Sequence, residues 1–288
     1  MKKLTVFTPT YNREKLLLRA YESLLDQTVD DFIWLIVDDG STDDTEQLAE
    51  RFIREGRIEV RYIKTENGGK MRAHNRGVAE CETEFFLCLD SDDKLVKSAV
   101  EDILKACSLM SGRNGIAGII AHKGKSANEL LSGTKFPYLH ETRLFDLYLK
   151  GFKGETTLVF RTEILKKYPF PEIEGEKYVP EDVVYDRIDE GHIFKVMPEI
   201  LTVCELIDEG YTDRVEELRR EAPTGWYIYY YQRALSWPFS LIKYKFAAHY
   251  LRFGQMVDIS YKRAYRLPLH IVLCGIPGYI ALCLKNKL

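Results

Sequence analysis

Three short polar clusters in the first hundred residues have the composition of a site for an anionic ligand. Thr8-Pro9-Thr10-Tyr11-Asn12-Arg13 follows the apolar opening LTVF, Asp38-Asp39-Gly40-Ser41 follows FIWLIV, and Asp90-Ser91-Asp92-Asp93 follows FFLCL. Carboxylates two residues apart, as Asp90 and Asp92 are, can face a divalent cation from one side. Mg2+ and Mn2+ take oxygen ligands, combining one or two protein carboxylates with phosphate oxygens and water. A cation held there would neutralise a departing diphosphate by Lewis-acid stabilisation. The chain has no G-x-x-x-x-G-K-[ST] loop, so phosphate charge would fall to metal and to basic side chains. Lys64, Lys70, Arg72 and Arg76, around the flexible turn Asn67-Gly68-Gly69, are placed to supply some of it. Any one cluster also reads as a turn and helix cap, since Asp, Ser and Gly favour both. Three of them, each at the end of an apolar run, point to a site.

Those apolar runs are the elements that must position the clusters. Leu4–Thr8, Phe32–Val37 and Phe85–Leu89 are apolar or β-branched and Ile58–Ile63 alternates, as expected for strands of a largely parallel, buried sheet. Between them, Leu16, Leu17, Ala20 and Leu24 share a helical face behind Asn12, read as the N-cap. Leu48 and Phe52 follow the cap-like Ser41-Thr42-Asp43, and Val96, Val100, Ile103 and Leu104 form a third stripe. Alternating strands and helices indicate an α/β fold with ligands beyond the carboxyl ends of the strands. Residues 122–155 show no period and read as loop plus a short helix. A strand–helix pattern occupies 157–206, and a helical tail follows.

Composition narrows the function classes. The 288 residues carry a formal net charge of −3, which excludes a generally basic nucleic-acid binder. Six cysteines without a C-x-x-C pair suggest a reducing compartment, and the opening apolar run is too short for a signal peptide, so the chain is expected to start in the cytoplasm. The charge is uneven. Residues 227–288 hold nine Lys or Arg against one acid, Asp258, a net of +8, while the first 226 residues carry −11. This tail is crowded with aromatics and ends in residues 267–284, uncharged if His270 is neutral but interrupted by Pro268, Gly275, Pro277 and Gly278. A spanning helix needs about 20 apolar residues. The tail therefore reads either as basic amphipathic helices on an anionic membrane face or as helices that cover the main domain or a dimer partner.

FTPTYNR, IVDDGSTDDT, NGGKMRAHNRG and LDSDD, in that order and at these separations, resemble family 2 glycosyltransferases, and Pro180-Glu181-Asp182 resembles the E-D motif of that family. The resemblance covers roughly residues 3–205. It implies a GT-A fold: a three-layer α/β/α domain with a central, mostly parallel sheet over residues 1–205, followed by a C-terminal helical region, 206–288. It implies inverting transfer of a sugar from a nucleotide-sugar, a UDP-sugar, with Mn2+ or Mg2+. Carried onto this sequence, Thr8, Pro9 and Tyr11 line the uracil pocket, and Asp39 reads the uracil edge. Lys70 and Arg72 form the basic loop near base and phosphates. Asp90 lies near ribose or metal, Ser91 joins the donor-binding residues, and Asp92 is the principal metal ligand. Asp182 is the base, with Glu181 as its alternative. Asp93 is expected to cap the element after it, and His192 to start a strand. Residues 154–157 and 168–172 are expected to shape the sugar or acceptor pocket. Together with the basic tail, the resemblance implies a glycan or lipid-linked acceptor in cell-surface polysaccharide synthesis at the inner membrane face, and no nucleic-acid partner. Two alternatives are weaker. A sugar-phosphate nucleotidyltransferase would show a Gly-rich N-terminal loop, which TPTYNR lacks, and a non-catalytic nucleotide-sugar binder has no need of intact Asp90, Asp92 and Asp182.

Overall fold

A computed structural model describes residues 2–131, 134–204 and 214–285. Seven-residue apolar runs form β1 (Leu4–Thr10) and, after α1 (Glu14–Leu25), β2 (Phe32–Asp38); both strands are buried at every position. Next come α2 (Thr45–Glu55), β3 (Val60–Lys64), α3 (Lys70–Glu80), β4 (Phe85–Cys88), β5 (Asp93–Leu95) and α4 (Ala99–Ser108). β6 (Ile116–Ser126), β7 (Glu129–Leu130), β8 (Glu141–Thr142), α5 (Leu144–Leu149), β9 (Thr156–Arg161), α6 (Thr162–Leu165) and β10 (Ile193–Cys204) complete the sheet region, with α7 (Asp182–Asp189) preceding β10 in the chain. The strand order is β3-β2-β1-β4-β9-β6-β10-β5, with β7 paired to β6 and β8 to β10. β3, β2, β1 and β4 run parallel to one another, and β6 runs parallel to β10, whereas β9 is antiparallel to β4 and β6, and β5 to β10.

By packing, the described residues form two compact units. One holds the sheet, up to Pro169 and again from Arg187 to Cys204. The other holds Phe170–Asp186 and residues 214–285. The domain boundary expected near residue 205 lies outside the described residues.

In the sheet unit, Tyr21 of α1 and Phe52 of α2 stack at 3.8 Å over Trp34 of β2. On another part of the sheet α3 lies so close that a Cβ at Gly77 would meet the Phe7 ring at 2.3 Å, so only glycine permits that approach. The strand ends differ from the sequence reading. β1 continues to Thr10, so Thr8-Pro9-Thr10 is strand and not turn, because β2 keeps pairing through Thr10↔Asp38. Pro9 is tolerated there since its nitrogen faces the β4 side, where the ladder has ended at Phe7↔Cys88. Asn12 is not the N-cap: Arg13 holds that place and Asn12 takes a positive φ of 51°. Asp93 caps no helix; it opens β5, pairing with Cys204, and Ser98 precedes α4. Residues 122–126 are the end of β6, not loop. Their polar side chains hide the strand, but the backbone pairs Lys123 with Thr202 and Gly124 with Val203.

The second unit contains α8 (Val215–Glu221), α9 (Pro223–Ser236), α10 (Leu241–Phe253), α11 (Ile259–Ala264) and α12 (Leu269–Lys285). Tyr227 and Tyr250 stack at 4.6 Å; Tyr250 donates to the Tyr265 carbonyl, and the one Tyr227 hydroxyl proton is shared between that carbonyl and the Tyr250 hydroxyl 2.8 Å away. α12 lies along α10 through small residues, with Gly275 against Ala247 and Gly278 against Ala248. Among the described residues no helix is long and apolar enough to cross a membrane.

His122 of β6 gives the sheet unit a titratable point. Its ring is 4% exposed, stacks on Phe136 at 3.6 Å and accepts the Phe136 N–H at Nε2. Burial, and then the charge of Lys135, depress its pKa from 6.5 to about 4. Between those values the unfolded chain binds a proton that the folded chain refuses, so stability is full above pH 6.5 and falls as the pH drops. The loss should reach about 3 kcal/mol near pH 4. Chemical denaturation across that window should show a smaller slope with pH for His122→Gln, which keeps an acceptor and cannot titrate.

Candidate functional site

The site begins with strand register. Thr10, Asp38 and Lys64 lie side by side at the carboxyl ends of β1, β2 and β3. β1 leads through α1 to β2 on one side, while β4 pairs with its other side. The chain thus reverses direction across the sheet between β1 and β4, the position where open α/β sheets bind ligands. Two turns are tied together at this rim. Asn12 accepts the Thr42 N–H at 2.8 Å through its side chain, and its own N–H donates to Ser41 Oγ at 2.8 Å. Asp43 accepts from Glu14 N at the start of α1 and from Thr45 N and Oγ1 at the start of α2. Burial opposes the Asp43 charge, but these donors hold its pKa below the usual range.

Asp39 anchors a third loop. Its carboxylate accepts from Asn67 Nδ2 at 3.1 Å, Gly68 N at 2.7 Å and Gly69 N at 2.8 Å, while its carbonyl accepts from Asn67 Nδ2. Asp38 is fully buried and bonded to Ser41 N and Tyr62 Oη. The loop so held enters α3 through Gly69, whose φ of 94° favours glycine. Lys70 follows at once, with Nζ 2.8 Å from Asp90 Oδ1. Arg72 folds back, donating to the Gly68 carbonyl at 2.7 Å.

Around Asp90 the charges are balanced. Burial raises the Asp90 pKa, but Lys70 and then Lys123 outweigh it and bring it down to about 2, so the group is ionised. Lys123 is itself buried against Asp93 at 3.0 Å and Glu155 at 3.5 Å. Burial works against its charge, yet Asp93 and Asp90 hold it protonated well above its ordinary value. Asp92 faces Arg13 at 3.5 Å. Ser91, between the two acids, is buried.

The sheet unit therefore brings Pro9, Tyr11, Asp39, Lys70, Arg72, Asp90, Ser91 and Asp92 to strand ends and loops on one rim. Tyr11 is 47% exposed and offers a ring face. Thr8 is different: it is fully buried, and its hydroxyl accepts the Trp34 indole N–H at 2.9 Å, so its side chain belongs to the core. His192, expected at a strand start, comes just before β10 with Nδ1 3.1 Å from the Ile188 carbonyl.

Asp182 opens α7 in the second unit, where Arg233 of α9 takes hold of it. The guanidinium, only 5% exposed, reaches Asp182 Oδ2 at 2.9 Å and Asp186 Oδ2 at 3.2 Å, one helical turn apart. The Glu181 carbonyl accepts from Val184 N and Tyr185 N, the first turn of the helix. Sequence reading missed Arg13, Lys123 and Arg233. Arg13 stood in a quoted motif, but nothing linked it to Asp92. Lys123 sat in a stretch without period, and Arg233 in an aromatic helix fifty residues from its carboxylate.

Residues 5–168 match the family described as Glycosyl transferase family 2. The chain is 38% identical over 170 residues to a teichoic acid poly(glycerol phosphate) polymerase of Staphylococcus epidermidis, which covers 58% of this chain and 23% of that protein. It is 28% identical over 176 residues to a GalNAc(5)-diNAcBac-PP-undecaprenol beta-1,3-glucosyltransferase of Campylobacter jejuni, covering 60% of this chain and 56% of that protein. The chain thus spans between about a quarter and somewhat over half of the length of these relatives. A crystal structure of Staphylococcus aureus TarS 1–349 with UDP-GlcNAc has a TM-score of 0.62 at 19% identity, over 96% of this chain and 79% of that one. The mannosyltransferase PcManGT from Pyrobaculum calidifontis, in complex with GDP-Man and Mn2+, has a TM-score of 0.57 at 17% identity, over 97% and 80%.

Asp39→Asn should test the anchor of the third loop. The amide would turn an NH2 group toward N–H donors, leaving buried donors unsatisfied at a cost of about 1–3 kcal/mol. Urea unfolding should show that loss, and amide exchange at Gly68 and Gly69 should accelerate. An unchanged melt with unchanged exchange would show that the loop is held by other contacts.

Proposed function

Because the chain belongs to glycosyl transferase family 2 and has the GT-A fold, we propose that it transfers a sugar from a UDP-sugar to an acceptor hydroxyl, inverting the sugar C1. The acceptor is a glycan or lipid-linked glycan of cell-surface polysaccharide synthesis, met at the inner face of the membrane. The observation that carries this reading is the charge array at the β1–β4 rim: ionised Asp90 against Lys70 at 2.8 Å, with Asp92 against Arg13 two residues on. Such an array holds compensated charge that a diphosphate and a cation can exchange into. The lipid-linked acceptor is supported by the Campylobacter jejuni relative, named for a PP-undecaprenol substrate, and by the basic tail.

In this reading Tyr11 stacks on the uracil, Pro9 closes the pocket floor, and Thr8 supports it from the core. Asp39, which accepts but cannot donate, takes the uracil N–H on the acceptor capacity left beside its three loop donors. Lys70 and Arg72 stand by the base and phosphates, and Ser91 lies between Asp90, near ribose or metal, and the metal ligand Asp92. Asp90 and Asp92 are the residues that would hold Mn2+ or Mg2+. Their oxygens suit a hard cation, and Asp90 is ionised; among the described residues no three His, Cys, Asp or Glu are placed to hold a metal by themselves. Water and diphosphate oxygens would then complete the coordination shell. When bound, the cation supplies charge neutralisation at the leaving diphosphate.

Asp182 takes the proton from the acceptor hydroxyl as that oxygen attacks C1, and the diphosphate leaves from the opposite face. The transition state is oxocarbenium-like, as in glycoside hydrolysis. Arg233 grips Asp182 Oδ2 and so fixes the orientation of the carboxylate.

A general base typically contributes about 10²–10⁴ in rate. Asp182→Asn should therefore reduce transfer by that factor while UDP affinity, read by calorimetry, stays near wild type. Asp92→Ala should do the reverse in the binding assay and weaken Mn2+-dependent UDP binding. Near-normal turnover of the Asp182 variant would remove the residue from the role of base. A wild-type chain that cleaves no UDP-sugar in the presence of Mn2+ would overturn the transferase reading itself.

A further inference from the structure

α12 presents to solvent what a water-facing helix normally hides. Leu269, Leu273, Ile276, Ile280 and Leu284 recur at helical spacing and are 38 to 71% exposed. The opposite face is spent: Ile271 and Gly275 are buried, and Gly275 and Gly278 lie on Ala247 and Ala248 of α10. Between Leu269 and Leu284 no Asp, Glu, Lys or Arg occurs, so the outer face has no charged residue to hydrate it. More apolar surface lies at the start of the neighbouring α10, where Phe239 and Leu241 are over four-fifths exposed. Positive charge brackets the patch. Arg263 and Arg266 precede α12, Lys285 ends it, and Lys245 stands on α10, all exposed. Asp258 is the one acid from residue 227 onward.

We propose that the outer face of α12, with the start of α10, is a docking surface for an anionic lipid bilayer. The helix lies flat at the headgroup boundary with Leu269, Leu273, Ile276, Ile280 and Leu284 in the acyl layer and the flanking basic residues on acidic headgroups. An exposed apolar stripe flanked by Lys and Arg, too short to span, is the pattern of an interfacial helix. The charge selects the occupant: a second copy of this basic region would bring like charges together, whereas an anionic surface offsets them. This surface gives the proposed lipid-linked acceptor a place to be met, and to that extent it rests on the functional reading; the binding itself does not require it.

Vesicle flotation with the full chain tests the surface, using phosphatidylcholine alone and phosphatidylcholine with phosphatidylglycerol. The wild type should float with the anionic vesicles, and less so in high salt. Leu273→Glu with Ile280→Glu, both at exposed positions, should lower the bound fraction at least ~10-fold at an unchanged thermal melt. Arg263→Glu with Arg266→Glu should weaken binding to anionic vesicles only. Equal flotation of wild type and the glutamate variant, or flotation of neither, overturns the proposal. A dimer in sedimentation that the glutamate variant abolishes, without vesicle binding, assigns the face to a second copy and overturns it too. UDP-sugar hydrolysis in free solution reads the chemistry separately: vesicle binding without hydrolysis sinks the transferase reading alone, and hydrolysis without vesicle binding sinks this one alone.

Discussion

The capture of the Asn67-Gly68-Gly69 loop by the buried Asp39 carboxylate is the contact on which the rim depends. Three N–H groups satisfy one anion, so the loop is pinned where β2 ends. Pinning the loop sets the first turn of α3, and the first turn of α3 carries Lys70 to Asp90. That ion pair, with Lys123 behind it, outweighs the burial that pushes the Asp90 pKa up and keeps the group ionised. A carboxylate held ionised by named partners at the switch point of a sheet is placed where a ligand's charge can meet it.

Compensated charge recurs across the chain. Lys123 is protonated among Asp93, Asp90 and Glu155, and in the second unit Arg233 is shared by Asp182 and Asp186. Pairs with a buried member add little net stability compared with apolar packing, yet leaving buried Arg233 or Asp93 without its partner is costly. Their value lies in geometry. Arg233, buried on a different helix, meets Asp182 Oδ2 at 2.9 Å and so biases the orientation of that carboxylate. The aromatic helices of the second unit thus do more than pack: they hold the partner of the candidate base.

Much of the arrangement was legible along the chain. Apolar runs ended in Asp, Asn and Gly clusters because a parallel strand buries its length and releases its polar residues at the carboxyl end, as β1, β2 and β4 do. What misled was local reading at the ends themselves. Asn12 looked like a cap, yet the cap-like acceptor for the start of α1 is Asp43, thirty residues on. Thr8 looked like a ligand contact and is bonded to Trp34 instead. β6 was not read as a strand at all, and past Ala121 no apolar run marks it, because pairing of backbone groups needs no apolar side chains.

The alternation of strands and helices up to β4, the largely parallel sheet, the candidate acids and the basic tail were all determined by sequence, because burial and turn chemistry act over a few neighbouring residues. The countercharges Arg13, Lys123 and Arg233, the antiparallel β9 inserted between β4 and β6, and the uncovered face of α12 were decided only by tertiary structure. An ion pair joins whichever charges the fold brings within a few ångströms, and a helix's exposed side depends on what packs against its other side. Neither distance nor neighbour is written in the spacing of residues along the chain.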